Sequence, residues 1–121
     1  MLKKRLIAVI LIRDGRVVQS VQFKHTNVIH YDAVHAIESF NRWAIDEIIV
    51  LNVSKSLDSQ NQFLKIIETI SEKCFVPLTA GGWVTTIEYG RDLLSAGADK
   101  LVTNTHAFNY PTFISQLSEK F

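Results

Sequence analysis

A chain of 121 residues, 47% of them apolar, has the material for one hydrophobic core, and a single domain over residues 1–121 is expected. The 13 basic residues nearly balance the 12 acidic ones, so the net charge of +1 makes no electrostatic case for nucleic acid or a membrane surface as partner. The single cysteine, Cys74, excludes an internal disulfide and a cysteine metal cluster, and it fits a reduced, cytoplasmic protein.

The basic run Lys3-Lys4-Arg5 leads into Leu6-Ile7-Ala8-Val9-Ile10-Leu11, a continuous apolar stretch of the kind found in strands covered on both faces. The stretch is too short to span a bilayer and lacks the cleavage pattern of a signal peptide. Asp14-Gly15 forms a tight turn, and the alternation from Arg16 to Phe23 predicts an extended arm. A helix follows, with Asp32 as N-cap and Ala33, Ala36, Ile37, Phe40 and Ala44 on one face. Residues 47–53 predict a second buried strand, and Phe63, Ile66, Ile67 and Ile70 predict a helix after Asp58. The third strand is expected over Val76 to Ala80, with Pro77 near its start, where a missing N–H is best tolerated. A third helix runs from about Thr86 to Ser95 and stops at Gly97. Lys100 to Thr103 make the fourth strand. In the last helix Asn109 is the expected N-cap, Pro111 sits in the first turn, and Ile114, Leu117 and Phe121 form the apolar stripe.

Four strands alternating with four helices predict a parallel sheet. A closed barrel of this kind needs about eight such units. The expected fold is therefore α/β, a (β/α)4 half-barrel of TIM-barrel type, with a parallel four-stranded sheet and helices on its outer face. An internal echo supports the repeat: Ala44-Ile45-Asp46-Glu47-Ile48-Ile49 matches Gly97-Ala98-Asp99-Lys100-Leu101-Val102 in pattern, each a helix end, an acidic turn and a strand.

In parallel α/β folds ligands gather at the carboxyl ends of the strands. Gly81 and Gly82 sit at such an end, where they let backbone approach a ligand ahead of a helix N-terminus, an arrangement suited to phosphate. Asn104 and Thr105, from the next loop, can donate hydrogen bonds to the same anion. Two ordinary tight turns would have the same composition. Trp83 could narrow the site or stack on a ligand, but covering apolar surface suits its ring best. Lys55 reads as a solvated loop lysine. His25, His30, His35 and His106 lack metal-ligand spacing, and only His106 is placed for chemistry. There is no Ser-His-Asp set and no Cys-His pair. No catalytic residue, metal or cofactor is assigned.

These residues resemble a known family. Arg5-Leu6-Ile7-Ala8, Asp14-Gly15-Arg16-Val17-Val18, Ile45-Asp46-Glu47, Val76-Pro77-Leu78-Thr79-Ala80-Gly81-Gly82, Gly97-Ala98-Asp99-Lys100 and Asn104-Thr105 look like the cyclase subunit of imidazole glycerol phosphate synthase. They match its amino-terminal half, in order, over essentially the whole chain. The resemblance implies a (β/α)8 barrel of histidine biosynthesis that takes ammonia from a glutaminase partner and acts on a doubly phosphorylated intermediate. Aspartates ending strands one and five act as acid and base there, and each half supplies one phosphate site. By resemblance Gly82, Asn104 and Thr105 match the phosphate residues of the first half. The strand-one aspartate position holds Leu11, and the acid expected at the end of strand two is Asn52. Gln19 replaces a lysine and Trp83 a third glycine, and strand five is absent. General acid–base catalysis contributes ~10²–10⁴-fold per positioned group, so weak cyclase activity is expected of this chain alone. The apolar strand-one position also resembles a paralogous branch that amidates a surface-polysaccharide sugar. That branch would have Gly-Asp-Pro where His30-Tyr31-Asp32 stands.

A half-barrel leaves its inner sheet face and two edges uncovered. Two apolar inward side chains per strand, at ~1.5–3 kcal/mol each when buried, would favour pairing by roughly 10–20 kcal/mol gross. A two-fold homodimer closing an eight-stranded pseudo-barrel, or a larger assembly, is expected, with a phosphorylated small molecule or phosphate as ligand. Two other readings stand beside it. One is an ammonia-dependent cyclase or sugar-amidation subunit, active with a glutaminase or a second barrel half. The other is a ligand-free structural domain.

Overall fold

The apolar run near the amino terminus becomes the first strand of a six-stranded sheet in the computed structural model of the chain, which describes residues 4–21, 25–30, 33–103 and 109–121. Strands β1 (Ile7–Arg13), β2 (Arg16–Val21) and β3 (His25–His30) precede helix α1 (Ala33–Arg42). Then come β4 (Glu47–Asn52), a 3₁₀ turn (Leu57–Ser59), α2 (Gln60–Lys73), β5 (Leu78–Gly81), α3 (Ile87–Ala96), β6 (Lys100–Val102) and α4 (Thr112–Lys120). The sheet order is β3-β2-β1-β4-β5-β6. The four strands of the expected half-barrel, β1, β4, β5 and β6, pair in parallel in chain order.

The expected arm is longer than its alternation suggests. After the Asp14-Gly15 turn, β2 folds back antiparallel on Leu11–Arg13 of β1, and β3 pairs antiparallel with β2. A register shift between Val17 and Val18 breaks the period of two along this hairpin.

Burial alternates along β1 and most of β4 and fixes which face the helices cover, while β5 is buried throughout. Ile10 and Ile12 of β1, Ile48 and Val50 of β4, and Leu78 and Ala80 of β5 are buried. They meet Ile37, Phe63, Ile67, Ile70 and Leu93 from the helices in one core. Consecutive helices pack in order, α1 on α2, α2 on α3 and α3 on α4. The opposite face is only partly covered. Ile7 and Val9 are 50% and 53% exposed, and Leu11, Ile49, Leu51 and Val102 are half-buried. The inward apolar residues are therefore not spread two to a strand. They concentrate on β1 and β4, while β5 presents Thr79 and Gly81, and β6 presents Lys100 beside Val102.

The sequence echo corresponds to a repeated hydrogen-bonded clasp at the strand entries. The Asp46 N–H donates to the Leu6 carbonyl at 3.0 Å, and the Asp46 carboxylate accepts the Leu6 N–H at 2.7 Å. The Asp99 N–H donates to the Leu78 carbonyl at 2.7 Å, and the Asp99 carboxylate accepts the Leu78 N–H at 2.8 Å. The two clasps superpose two strand pairs without a register offset: Ile7↔Glu47 and Ala8↔Ile48 correspond to Thr79↔Lys100 and Ala80↔Leu101. At the position after each aspartate the repeat carries opposite charges, and these meet. Lys100 Nζ lies 3.0 Å from Glu47 Oε1, and Arg5 Nη2 lies 3.7 Å from Glu47 Oε2.

Several local expectations are corrected. Asn109 is not the N-cap of the last helix, since Pro111 stands there and α4 begins at Thr112. The anchor of α4 is Phe113, which is buried, while Ile114 and Phe121 of the expected stripe stay about half exposed. Ala44 lies beyond the end of α1, exposed and at φ 55°, so it is not part of the apolar face. The expected N-cap Asp32 lies outside the described residues. Thr86 caps α3 by accepting the Tyr89 N–H at 3.1 Å, and Gly97 ends it at φ 125°, both as the residue types require.

Candidate functional site

The carboxyl ends of β1, β4, β5 and β6 form one rim, because the registers align Ile12 with Asn52, Leu51 with Gly81, and Gly81 with Val102. Asn52 is the hub of this rim. It is 5% exposed and turned to the helix side, where its Oδ1 accepts the Ser54 N–H at 3.1 Å and its Nδ2 donates to Ser59 Oγ at 2.9 Å. The Ser59 hydroxyl in turn donates to the Ser56 carbonyl at 2.7 Å. Both polar ends of Asn52 are thus occupied in shaping the loop after β4.

That loop is tied to its two neighbours. The Asp14 N–H donates to Ser54 Oγ at 3.0 Å, which joins it to the β1–β2 turn. The Trp83 indole N–H donates to the Ser54 carbonyl at 2.7 Å, which joins it to the β5 loop. Gln60, at the start of α2, donates from Nε2 to the Trp83 carbonyl at 2.8 Å. Trp83 itself sits at φ 59°, a left-handed conformation that costs a bulky aromatic residue on the order of 1–2 kcal/mol. Two hydrogen bonds from different elements hold it there. The ring is half-buried and braces two loops, which is a more specific role than covering apolar surface.

Gly81 and Gly82 lie on this rim, and their lack of a side chain has a local cause. A Cβ on Gly81 would meet the carbonyl and side chain of Val102, and one on Gly82, at φ 95°, would meet the backbone of Asn52. The glycines let the rim loops close on one another. Asn104, Thr105 and His106 lie outside the described residues. By chain connectivity Asn104 follows Val102 by two positions, and Val102 is registered opposite Gly81. Lys55 is exposed, as a solvated lysine should be. Leu11 is half-buried on the inner face near the carboxyl end of β1 and brings no titratable group.

Ser59 and Gln60 escape notice in the sequence, because a polar cluster before a helix ordinarily reads as capping. Only Ser56 keeps that role, accepting the Asp58 N–H at 3.1 Å. Among the described residues the displaced proton affinities lie off the rim. Burial pushes the Cys74 thiol up at the entry to β5, and burial pushes the Tyr89 hydroxyl up to about 12 within α3. Among the described residues no helix is long and apolar enough to cross a membrane.

At the other end of the strands, Glu47 is 8% exposed between Arg5 and Lys100. The same end carries Trp43 and Phe75, which are 67% and 84% exposed.

The family model described as histidine biosynthesis protein matches residues 5–121. The chain is 39% identical over its whole length to the imidazole glycerol phosphate synthase subunit HisF of Staphylococcus saprophyticus, and covers 48% of that protein. It is 38% identical to the same subunit of Chlorobium chlorochromatii, again covering 48% of it. With the subunit of Pyrococcus furiosus it shares 36% identity over 98% of this chain and 47% of that protein. The chain thus spans about half the length of these relatives.

Proposed function

Because this chain belongs to the histidine biosynthesis protein family, as a (β/α)4 half-barrel, we propose that it is a phosphate-binding half-barrel that assembles with itself and is deficient in cyclase activity on its own. The observation that carries this reading is the inner sheet face, where Ile7 and Val9 of a parallel sheet stand half exposed. Parallel sheets are stable with both faces covered, and a second half-barrel supplies that cover.

Phosphate binding is assigned to Gly81, Gly82, Asn104 and Thr105. Support comes from the Gly81↔Val102 register, from which the segments leaving β5 and β6 start side by side at the rim. The cyclase deficiency follows from chemistry. Leu11 cannot exchange a proton, and the Asn52 amide is neutral and already committed at both ends. Both groups stand where the family resemblance expects an acid.

Light scattering on a sizing column, with and without a bisphosphorylated ribose, tests the assembly and the ligand together. An even-numbered oligomer tightened by ligand is expected, and a folded monomer indifferent to it would refute the reading. For the site itself, Asn104→Ala should weaken phosphate binding at least tenfold in calorimetry while leaving the circular dichroism spectrum unchanged.

A second reading draws on Trp43 and Phe75, exposed at the same end of the strands as the Arg5–Glu47–Lys100 cluster. Large aromatic side chains exposed near charged groups suit a protein-docking surface. A glutaminase subunit is the partner proposed for it. Loss of co-elution with such a subunit on Trp43→Ser together with Phe75→Ser is the expected outcome.

A further inference from the structure

We infer that β6 of one copy pairs in parallel with β1 of a second copy in a defined register, Leu101 opposite Leu6 and Val102 opposite Ile7. The inference rests on the self-assembly proposed above and adds the junction through which it occurs.

The register comes from the molecule's own repeat. The two clasps equate Leu6 with Leu78 and Asp46 with Asp99, so β1 corresponds to β5 and β4 to β6. Between the two repeats lies the β4–β5 junction, registered Ile48↔Leu78 and Ile49↔Thr79. The next junction in the series joins β6 to another β1. Advancing β4–β5 by one repeat turns Ile48 into Leu101, Ile49 into Val102, Leu78 into Leu6 and Thr79 into Ile7.

Among the described residues neither edge has a strand partner at the required places. The hairpin strand β2 registers with β1 only over Leu11–Arg13, so the lower half of β1 keeps its outer edge, and the required register uses that half. On the other side β6 ends the sheet. Beside it lies a groove of about 440 Å³, with Leu101 of β6, Ile114 and Leu117 of α4, and Phe121 just after α4 on its apolar side, and Lys100 and Thr103 among its polar lining.

The faces also match. Residues 7 and 102 both lie on the inner face, so Ile7 and Val102 extend the inner apolar layer. Leu6 precedes Ile7 and therefore falls on the helix side, as Leu101 does. It is 65% exposed in the single chain, and the apolar side of the groove offers it a seat. The same register brings Lys100 beside Arg5 of the second copy. Each of these cations is already held by the Glu47 of its own chain, so the junction leaves neither unpaired.

Cysteine pairs test the register directly. Parallel neighbours lie ~4.8 Å apart, within the ~4.4–6.8 Å Cα separation that a disulfide accepts. Within one chain β4 and β5 separate β1 from β6, roughly three strand spacings, so a disulfide between them must join two copies. In a Cys74→Ser background, Ile7→Cys with Val102→Cys should oxidise to a covalent species of twice the chain mass. Val9→Cys with Val102→Cys, the same face shifted by two residues, should remain uncrosslinked. Mixing the two single variants, Ile7→Cys and Val102→Cys, should give the same doubled mass through one disulfide, which guards against a double variant that folds poorly. Light scattering of the unsubstituted chain separates the two ways of failing. A dimer that crosslinks through position 9, or through neither pair, overturns the register and leaves self-assembly standing. A monomer overturns both, and a ladder of larger covalent species overturns two-fold closure.

Discussion

Tyr89 carries a hydroxyl into the core without giving it a partner. The residue is 5% exposed, and its oxygen has no hydrogen-bond partner among the described residues. Burial first, and the nearby Asp92 charge second, push the hydroxyl up to about 12. A group whose folded pKa lies above its unfolded value of ~10 favours the folded state only while it stays protonated. Its contribution is complete below pH ~10 and is lost as pH rises through about 12. Tyr89→Phe removes both the unsatisfied oxygen and this titration. The variant should unfold at higher urea than the parent near neutral pH, with a gain on the order of 1–3 kcal/mol. The advantage should widen between pH 10 and 12, and urea midpoints at pH 8 and pH 11 read both effects. At the same scale, the rim shows what a sequence conceals. Gly82 reads as a place for a ligand to approach, yet its nearest neighbour is the Asn52 backbone. Asn52 reads as a missing acid, yet both ends of its amide are used in shaping a loop. Nothing in the residue types distinguishes these uses, since a glycine near backbone and a glycine near phosphate satisfy the same steric demand.

The elements themselves were largely legible, because their signals are local. The continuous apolar runs of β1 and β4, the Thr86 cap and Gly97 stop of α3, and the Phe63–Ile67–Ile70 stripe of α2 each follow from side-chain chemistry within one turn or one strand. Strand β3 was not legible. His25–His30 lacks alternation, and its partner β2 carries a register shift, so neither strand advertises the pairing. The repeated turn aspartate, Asp46 and Asp99, was visible as an echo, while its purpose required three dimensions. Each aspartate lies next to its strand and secures the entry to the neighbouring strand through its N–H and its carboxylate. Hydrogen bonds to charged groups contribute ~1.5–3 kcal/mol, and partial exposure places these two at the lower end. Asp46→Ala and Asp99→Ala should each cost on the order of 1.5 kcal/mol. The clasps serve different strand pairs and share no partner, so the double variant should lose about the sum, within ~0.5 kcal/mol. Urea unfolding of the two single variants and the double measures this. Asp99→Asn, which keeps an acceptor, should recover part of the loss.

For the whole molecule, the half-exposed apolar side chains of the inner face make the proposed self-assembly testable. Val9 lies at its centre, 53% exposed, registered beside Ile49 in a row that continues through Thr79 to Lys100. In a single half-barrel a glutamate at this position keeps its carboxylate in water and costs little. In a closed assembly the same carboxylate is buried against apolar side chains, where an unpaired charge costs several kcal/mol. Val9→Glu should therefore leave a folded monomer, with unchanged far-ultraviolet circular dichroism and half the parent's mass by light scattering. Concentration supplies the second readout, since an assembly unfolds by dissociating and a monomer does not. For a dimer, tenfold more protein adds ~1.4 kcal/mol of stability per dimer. For a unit of about 240 residues that raises the thermal midpoint by roughly 3–5 °C. The parent should show this rise, and Val9→Glu should unfold at one temperature whatever its concentration. A parent midpoint that ignores concentration would mean that the inner face is tolerated in water, and self-assembly would have to be given up.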